Sequence, residues 1–148
     1  MKVAIAYYSR HHGNTRKLLD AIRDSADVEL IDVEECKEAD LSGYDIIGFA
    51  SGIYFGRFSR DVADFARSSL PDRKRVFLIH TYGMKMRRYT KEMEKIFEGK
   101  SCQLLGIYGC KGYDTFGPFK LFGGVAKGHP DENDVKGAVE FFREIIRE

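Results

Sequence analysis

The chain has no tryptophan, three prolines and three cysteines in 148 residues, and each scarcity closes off a class of explanation. The cysteines, Cys36, Cys102 and Cys110, are odd in number, widely spaced and without a C-x-x-C pair. They supply neither a disulfide framework nor a structural zinc site, and they suit a reducing compartment. No run of about 18 apolar residues exists, so no membrane span is expected. The N-terminus enters a strand pattern directly, without a signal-like segment, which makes the cytoplasm the expected location. An excess of one charge is missing too: 24 basic against 23 acidic residues leave a net +1, which gives no general pull towards nucleic acid.

What is present is alternation. Apolar runs of strand length, Val3–Tyr8, Val28–Val33, Tyr44–Ala50, Arg75–Thr81 and Cys102–Tyr108, are separated by residues at helical spacing. The helical stripes are Leu18, Leu19, Ile22 and Ala26; then Val62, Phe65, Ala66 and Leu70; then Met93, Ile96 and Phe97; and finally Val135, Ala138, Val139, Phe142, Ile145 and Ile146. The Glu34–Ser42 connection is acidic and reads as loop, and Cys102 is expected in the core. Such alternation predicts a single α/β domain over residues 1–148, a doubly wound five-stranded parallel sheet with helices on both faces.

In such a sheet ligands bind outside the C-terminal strand ends, where the strand order reverses. The first of these ends carries Ser9-Arg10-His11-His12-Gly13-Asn14-Thr15, a tight polar loop leading into a helix. Helix N-termini present unpaired N–H groups and the positive end of the dipole, so the loop reads as a phosphate cradle. It has one glycine where a dinucleotide site needs G-x-G-x-x-G, and no lysine of a nucleotide-triphosphate loop. It also has no cysteine nucleophile, so phosphate is held rather than cleaved. The competing reading is a helix capped by Asn14 or Thr15 that binds nothing. Adjacent His11 and His12 lack partners at ligand spacing, so no metal site is expected; beside a phosphate they would donate hydrogen bonds.

Three further loops face the cradle: Ser51–Phe58, Tyr82–Arg88 and the long, glycine- and aromatic-rich Gly109–Pro130. Tyr54 and Phe55, between Gly52 and Gly56, offer faces on which a flat conjugated ring can stack, with Tyr82, Tyr113 and Phe116 as further candidates. Taken singly, each aromatic is as well explained by covering the sheet. A monophosphate cradle beside glycine-flanked aromatics fits a planar mononucleotide.

The loop Ser9–Thr15 resembles the FMN phosphate loop of flavodoxins, usually Ser/Thr-x-Thr-Gly-Asn-Thr, and Tyr44–Phe65 resembles their third strand and ring-stacking loop. The resemblance implies strand order 2-1-3-4-5, non-covalent FMN and electron transfer between redox partners. It implies that Ser9, Arg10, His11, His12, Gly13, Asn14 and Thr15 hold the phosphate. Ser51, Gly52, Ile53, Tyr54, Phe55 and Gly56 would hold the ring, with Tyr54 or Phe55 stacked on it. Thr81, Tyr82 and Gly83 would line its pyrimidine edge, and Gly112 and Asp114 would complete the set. No catalytic residue is expected in a carrier.

Three departures qualify the resemblance. The phosphate loop is one residue longer than usual, and the loop after strand five is extended. Flavodoxins surround FMN with carboxylates, whereas Arg10, Arg16, Arg57, Arg60, Lys85, Arg87, Arg88, Lys111, Lys120 and Lys127 fall on or beside this rim, against few acids such as Asp61 and Asp114. A basic rim would suit redox partners with an acidic surface. The alternative is an FMN-dependent oxidoreductase similar to the flavin-dependent protoporphyrinogen oxidases, acting on a small anionic or quinone-linked substrate under the long loop. A cofactor-free receiver domain fits poorly, because Ala50-Ser51 stand where its phosphoacceptor Asp would be.

Overall fold

The computed structural model describes residues 1–10, 13–54, 56–83, 88–112 and 128–147. In chain order the elements are β1 (Val3–Tyr8), α1 (Asn14–Ser25), β2 (Glu29–Asp32), β3 (Ile46–Tyr54) and β4 (Arg57–Phe58), then α2 (Arg60–Ser69), β5 (Arg75–Tyr82), α3 (Lys91–Gly99), β6 (Gln103–Lys111) and α4 (Glu132–Arg147). The sheet runs β2-β1-β3-β5-β6 with every neighbour parallel, and β4 pairs antiparallel with β3. This is the expected doubly wound order once the short β4 is set aside.

Both faces of the sheet are covered, which is why its strands read as continuous apolar runs. Strand alternation sends Phe77 and Ile79 of β5 to one face, where Leu18, Leu19 and Ile22 of α1 and Ala138, Phe142 and Ile145 of α4 meet them. Val76 and Leu78 point the other way, against Val62 and Phe65 of α2 and Met93 and Phe97 of α3. Each helix thus buries one stripe at 3.6-residue spacing.

Two expectations need correction. β3 does not stop at Ala50 but runs to Tyr54, because Ile53 and Tyr54 pair with Phe58 and Arg57 in a hairpin. A strand as short as β4 is below the length at which a sequence pattern shows. Cys102 lies half-buried at the margin of the α2/α3 core, while Cys110 is the fully buried cysteine. Burial, followed by the charges of Asp134 and Asp131, pushes the Cys110 thiol up to about 12, so it is inert as a nucleophile. Among the described residues no helix is long and apolar enough to cross a membrane.

Candidate functional site

The turn from β1 into α1 differs in detail from the sequence expectation. Helix α1 starts at Asn14, and its N-cap is Gly13, held at φ 63° and ψ 28°. A left-handed residue there favours glycine, since a Cβ would strain the backbone. No side-chain hydrogen bond from Gly13 can cap the helix, so neither Asn14 nor Thr15 serves as the cap. The third helical N–H, that of Arg16, is instead satisfied across the loop by Ser9 Oγ at 2.9 Å. Ser9 therefore closes the loop onto the helix, and its hydroxyl still has a proton to donate.

Thr15 points inward and is 1 % exposed; its Oγ1 lies 3.0 Å from Oγ1 of Thr81, itself 3 % exposed. The pair ties the start of α1 to the end of β5. Two hydroxyls carry two protons, and a single bond between them consumes one, so the other is available to a ligand.

The ends of β1, β3, β5 and β6 and the start of α1 enclose a cleft of about 320 Å³, lined by Arg10, Asn14, Thr15, Gly52, Ile53, Tyr54, Thr81, Tyr82, Gly83 and Gly112. Gly112 N–H donates to the Tyr82 carbonyl at 2.8 Å, extending the β5–β6 pairing by one step. A Cβ built on Gly112 would lie 2.7 Å from Asn14 Nδ2 and 3.1 Å from its Cβ, so a side chain at this position would require the Asn14 amide to move aside. The Tyr54 ring stands edge-on to Tyr8, with centroids 5.6 Å apart, and its hydroxyl accepts a long 3.4 Å contact from Arg10 N–H. Burial holds the Tyr82 phenol above its ordinary value, with the Cys110 and Asp134 charges adding to the shift.

Other expected residues stand elsewhere. Ser51 is fully buried; its Oγ accepts from Ser59 N–H at 2.9 Å and its hydroxyl donates to the Gly52 carbonyl. It braces the β3–β4 hairpin against the start of α2 and does not line the cleft. Gly56, exposed at φ 75°, makes the hairpin turn. His11, His12, Phe55 and Asp114 lie outside the described residues, as do Lys85, Arg87, Lys120 and Lys127.

Among the described residues, three of the rim cations are answered by acids. Arg10 pairs with Glu34. Arg16 stacks over the Tyr7 ring at 5.2 Å, hydrogen-bonds its hydroxyl and pairs with Asp20 at 2.7 Å. Arg57 pairs with Glu92 at 3.1 Å. The acids that answer Arg10 and Arg57 sit on other elements, so the local sequence around those two cations hides them; Asp20, which answers Arg16, lies one turn along the same helix.

Sequence reasoning also passed over His80, inside the apolar run of β5. It is 9 % exposed, among the rings of Phe58, Tyr82 and Tyr89, and its Nδ1 is the one buried side-chain polar atom without a hydrogen-bond partner among the described residues. Burial pushes its pKa down to about 4, against a weaker upward pull from a hydrogen bond with the Tyr108 backbone. At neutral pH it is uncharged, packed behind the lining residue Tyr82.

A family model described as a flavodoxin domain matches residues 4–113. An uncharacterized protein of Methanocaldococcus jannaschii is 37 % identical over 149 residues, covering 99 % of each chain. Among solved structures, oxidised flavodoxin 2 of Bacillus cereus superposes with a TM-score of 0.68 at 19 % identity, covering 99 % of both chains. A flavoprotein of Lactobacillus acidophilus, solved in complex with FMN, gives a TM-score of 0.56 at 18 % identity over 73 % of this chain and 92 % of its own.

Proposed function

The chain belongs to the flavodoxin family, and from that premise we propose that it binds FMN in the cleft and carries electrons between redox partners. The observation that carries the reading is the junction of two features: a helix start at Gly13 without a cap from its own side chain, and a walled slot between Tyr54 and Thr81–Gly83. The first suits a terminal phosphate and the second a flat ring. The close passage of Gly112 over Asn14 is the kind of cradle that a side chain would fill.

In this reading the Ser9 and Thr15 hydroxyls and the N-terminal turn of α1 hold the phosphate. Gly52, Ile53 and Tyr54 bound one side of the ring, and the Thr81–Gly83 backbone bounds the other. When bound, FMN supplies the electron-accepting and electron-donating chemistry. The chain positions it, excludes water from its buried side and leaves the mouth of the cleft open to a partner. Among the described lining residues the ionisable side chains are Arg10, Tyr54 and Tyr82.

Titrating the protein with FMN, FAD and riboflavin tests the cofactor. FMN should bind tightest; riboflavin binding as tightly would overturn the phosphate assignment. Steady-state turnover with small donors such as protoporphyrinogen and reduced quinones should be negligible, and sustained turnover would move the protein to the enzyme reading.

A further inference from the structure

A second concavity lies outside the cleft, on the α2/α3 face. It is a groove of about 810 Å³ lined by Arg57, Arg67, Lys91, Glu92, Lys95 and Ile96, four cations around one carboxylate. The carboxylate is the organiser. Glu92 accepts from Arg57 at 3.1 Å and from Arg67 at 2.8 Å, so two guanidiniums from different elements are fixed side by side. Burial raises the Glu92 carboxyl, but hydrogen bonds from Arg67 and then Arg57 outweigh it and hold the group below its ordinary range. Lys91 and Lys95 stand exposed along α3. Glu92 and Asp64, which meets Arg67 at 3.1 Å, answer the two guanidiniums, so the positive charge left over in the groove is that of Lys91 and Lys95.

Its position matters as much as its charge. Arg57 is the direct cross-strand partner of Tyr54 in the β3–β4 hairpin, and Tyr54 lines the cleft. The groove therefore begins where the cleft wall ends. A surface seated in it would cover the hairpin and reach the cleft mouth.

We propose that the Arg57–Arg67–Lys91–Lys95 groove docks a protein partner through a carboxylate-rich patch, placing that partner against the mouth of the cleft. The inference rests on the electron-carrier reading for what the partner does there, but the docking itself does not require a bound cofactor. A protein patch fits better than a polyphosphate. Exposed Asp64, Glu94 and Glu98 flank the groove on the same two helices. They would repel a uniformly charged backbone laid across the face, while a partner with localised acids can be matched around them. The chain's net charge of only +1 points the same way.

The test uses the full chain, with and without added FMN, and two probes of similar charge, deca-glutamate and decauridylate. Amide shifts are followed by NMR at ~0.01 M and ~1 M ionic strength, where the Debye length is about 30 Å and about 3 Å. Deca-glutamate should perturb Arg57, Arg67, Lys91 and Lys95 at low salt and lose its effect at high salt. The double variant Lys91→Glu, Lys95→Glu should weaken it roughly tenfold or more, whereas Arg143→Glu on α4, across the sheet, should not. Flavin absorbance, read separately, should be unchanged in both variants. Tighter binding of decauridylate, shifts at Arg143 equal to those in the groove, or no shifts at all would overturn the proposal. Docking of the peptide to a chain that takes up no FMN would sink the cofactor reading alone. FMN uptake without docking would sink the groove alone.

Discussion

The cleft and the groove adjoin at the Tyr54–Arg57 pair, yet they are built on opposite plans. The cleft is walled by three glycines, two threonines, Asn14, Ile53 and the tyrosines Tyr54 and Tyr82 at the ends of parallel strands; Arg10 is its one described cation. The groove is made from the ends of long charged side chains on helix surfaces and a two-residue strand. The first plan loses little entropy when a ligand arrives, because strand ends are already fixed by the sheet. The second leaves its lysines adaptable and its energies subject to salt. On the proposed reading, rigid fit to one small ligand and tolerant docking of a larger surface fall to neighbouring regions of the molecule. Each prediction below asks whether that division holds.

The largest effect should come from His80, buried between Phe58 of β4 and Tyr82 of β5. Its folded pKa of about 4 is below the ordinary 6.5. Above pH 6.5 both the folded and unfolded forms are neutral and there is no difference. As pH falls towards 4 the unfolded chain takes up a proton that the folded one resists, so stability is lost across that window, by about 3 kcal/mol when complete. Urea unfolding of the wild type and His80→Phe at pH 7.5, 5.5 and 4.5 should show a steeper decline in the wild type. Parallel declines would mean that His80 finds a partner or a proton in the folded state.

Next is the cleft itself. Thr15→Ala should cost about 1.5–3 kcal/mol of FMN affinity if its hydroxyl meets a charged phosphate, with little change for riboflavin. Equal losses for both flavins would place Thr15 in a purely structural role. Gly112→Ala drives a methyl towards Asn14 Nδ2, and should likewise weaken FMN more than it lowers the unfolding midpoint of the ligand-free chain.

How much of this was legible follows the same division. Local pattern brackets the strand ends, although β3 runs on to Tyr54, so the loops after Tyr8, Ala50, Thr81 and Tyr108 could be named as site-forming from sequence; nine of the ten residues lining the cleft fall within them, and the tenth, Thr81, ends its strand run. What local pattern does not carry is which side chain answers which. The helix starts at Asn14, one of the two expected positions, but the cap falls on left-handed Gly13 rather than on Asn14 or Thr15, and Ser9 reaches an N–H seven residues on. Ser51 looked like a ring-loop residue, but the hairpin drew its hydroxyl into the core. The rim cations Arg10 and Arg16 met Glu34 and Asp20, while the real concentration of charge assembled from Arg57, Arg67, Lys91 and Lys95, residues that come together only when α2, α3 and β4 pack.

A smaller effect should separate structural from ligand-binding roles at the floor of the cleft. Thr15→Val and Thr81→Val each leave the other hydroxyl buried without its 3.0 Å partner. The double variant replaces both with methyls and leaves no orphan. It should therefore be less destabilised than the sum of the singles, with a coupling of about 1 kcal/mol in urea unfolding. Strict additivity would show that each hydroxyl finds an alternative partner and that α1 and β5 are held by packing alone.

The smallest effect is the most direct test of independence between the two regions. Glu92→Gln keeps the side-chain volume but removes the charge that gathers Arg57 and Arg67; Arg67 retains Asp64 at 3.1 Å. Because these guanidiniums are about half exposed, the stability change should be no more than about 1 kcal/mol and should shrink in high salt. FMN affinity should not move, since the Tyr54 wall is set by the Tyr54–Arg57 and Ile53–Phe58 backbone pairing and by buried Ser51, not by the Arg57 side chain. A change in FMN affinity beyond measurement error, with the fold intact, would show that the hairpin transmits the state of the groove into the cleft. Partner docking and cofactor binding would then be thermodynamically coupled, and each would alter the other's affinity by the same factor.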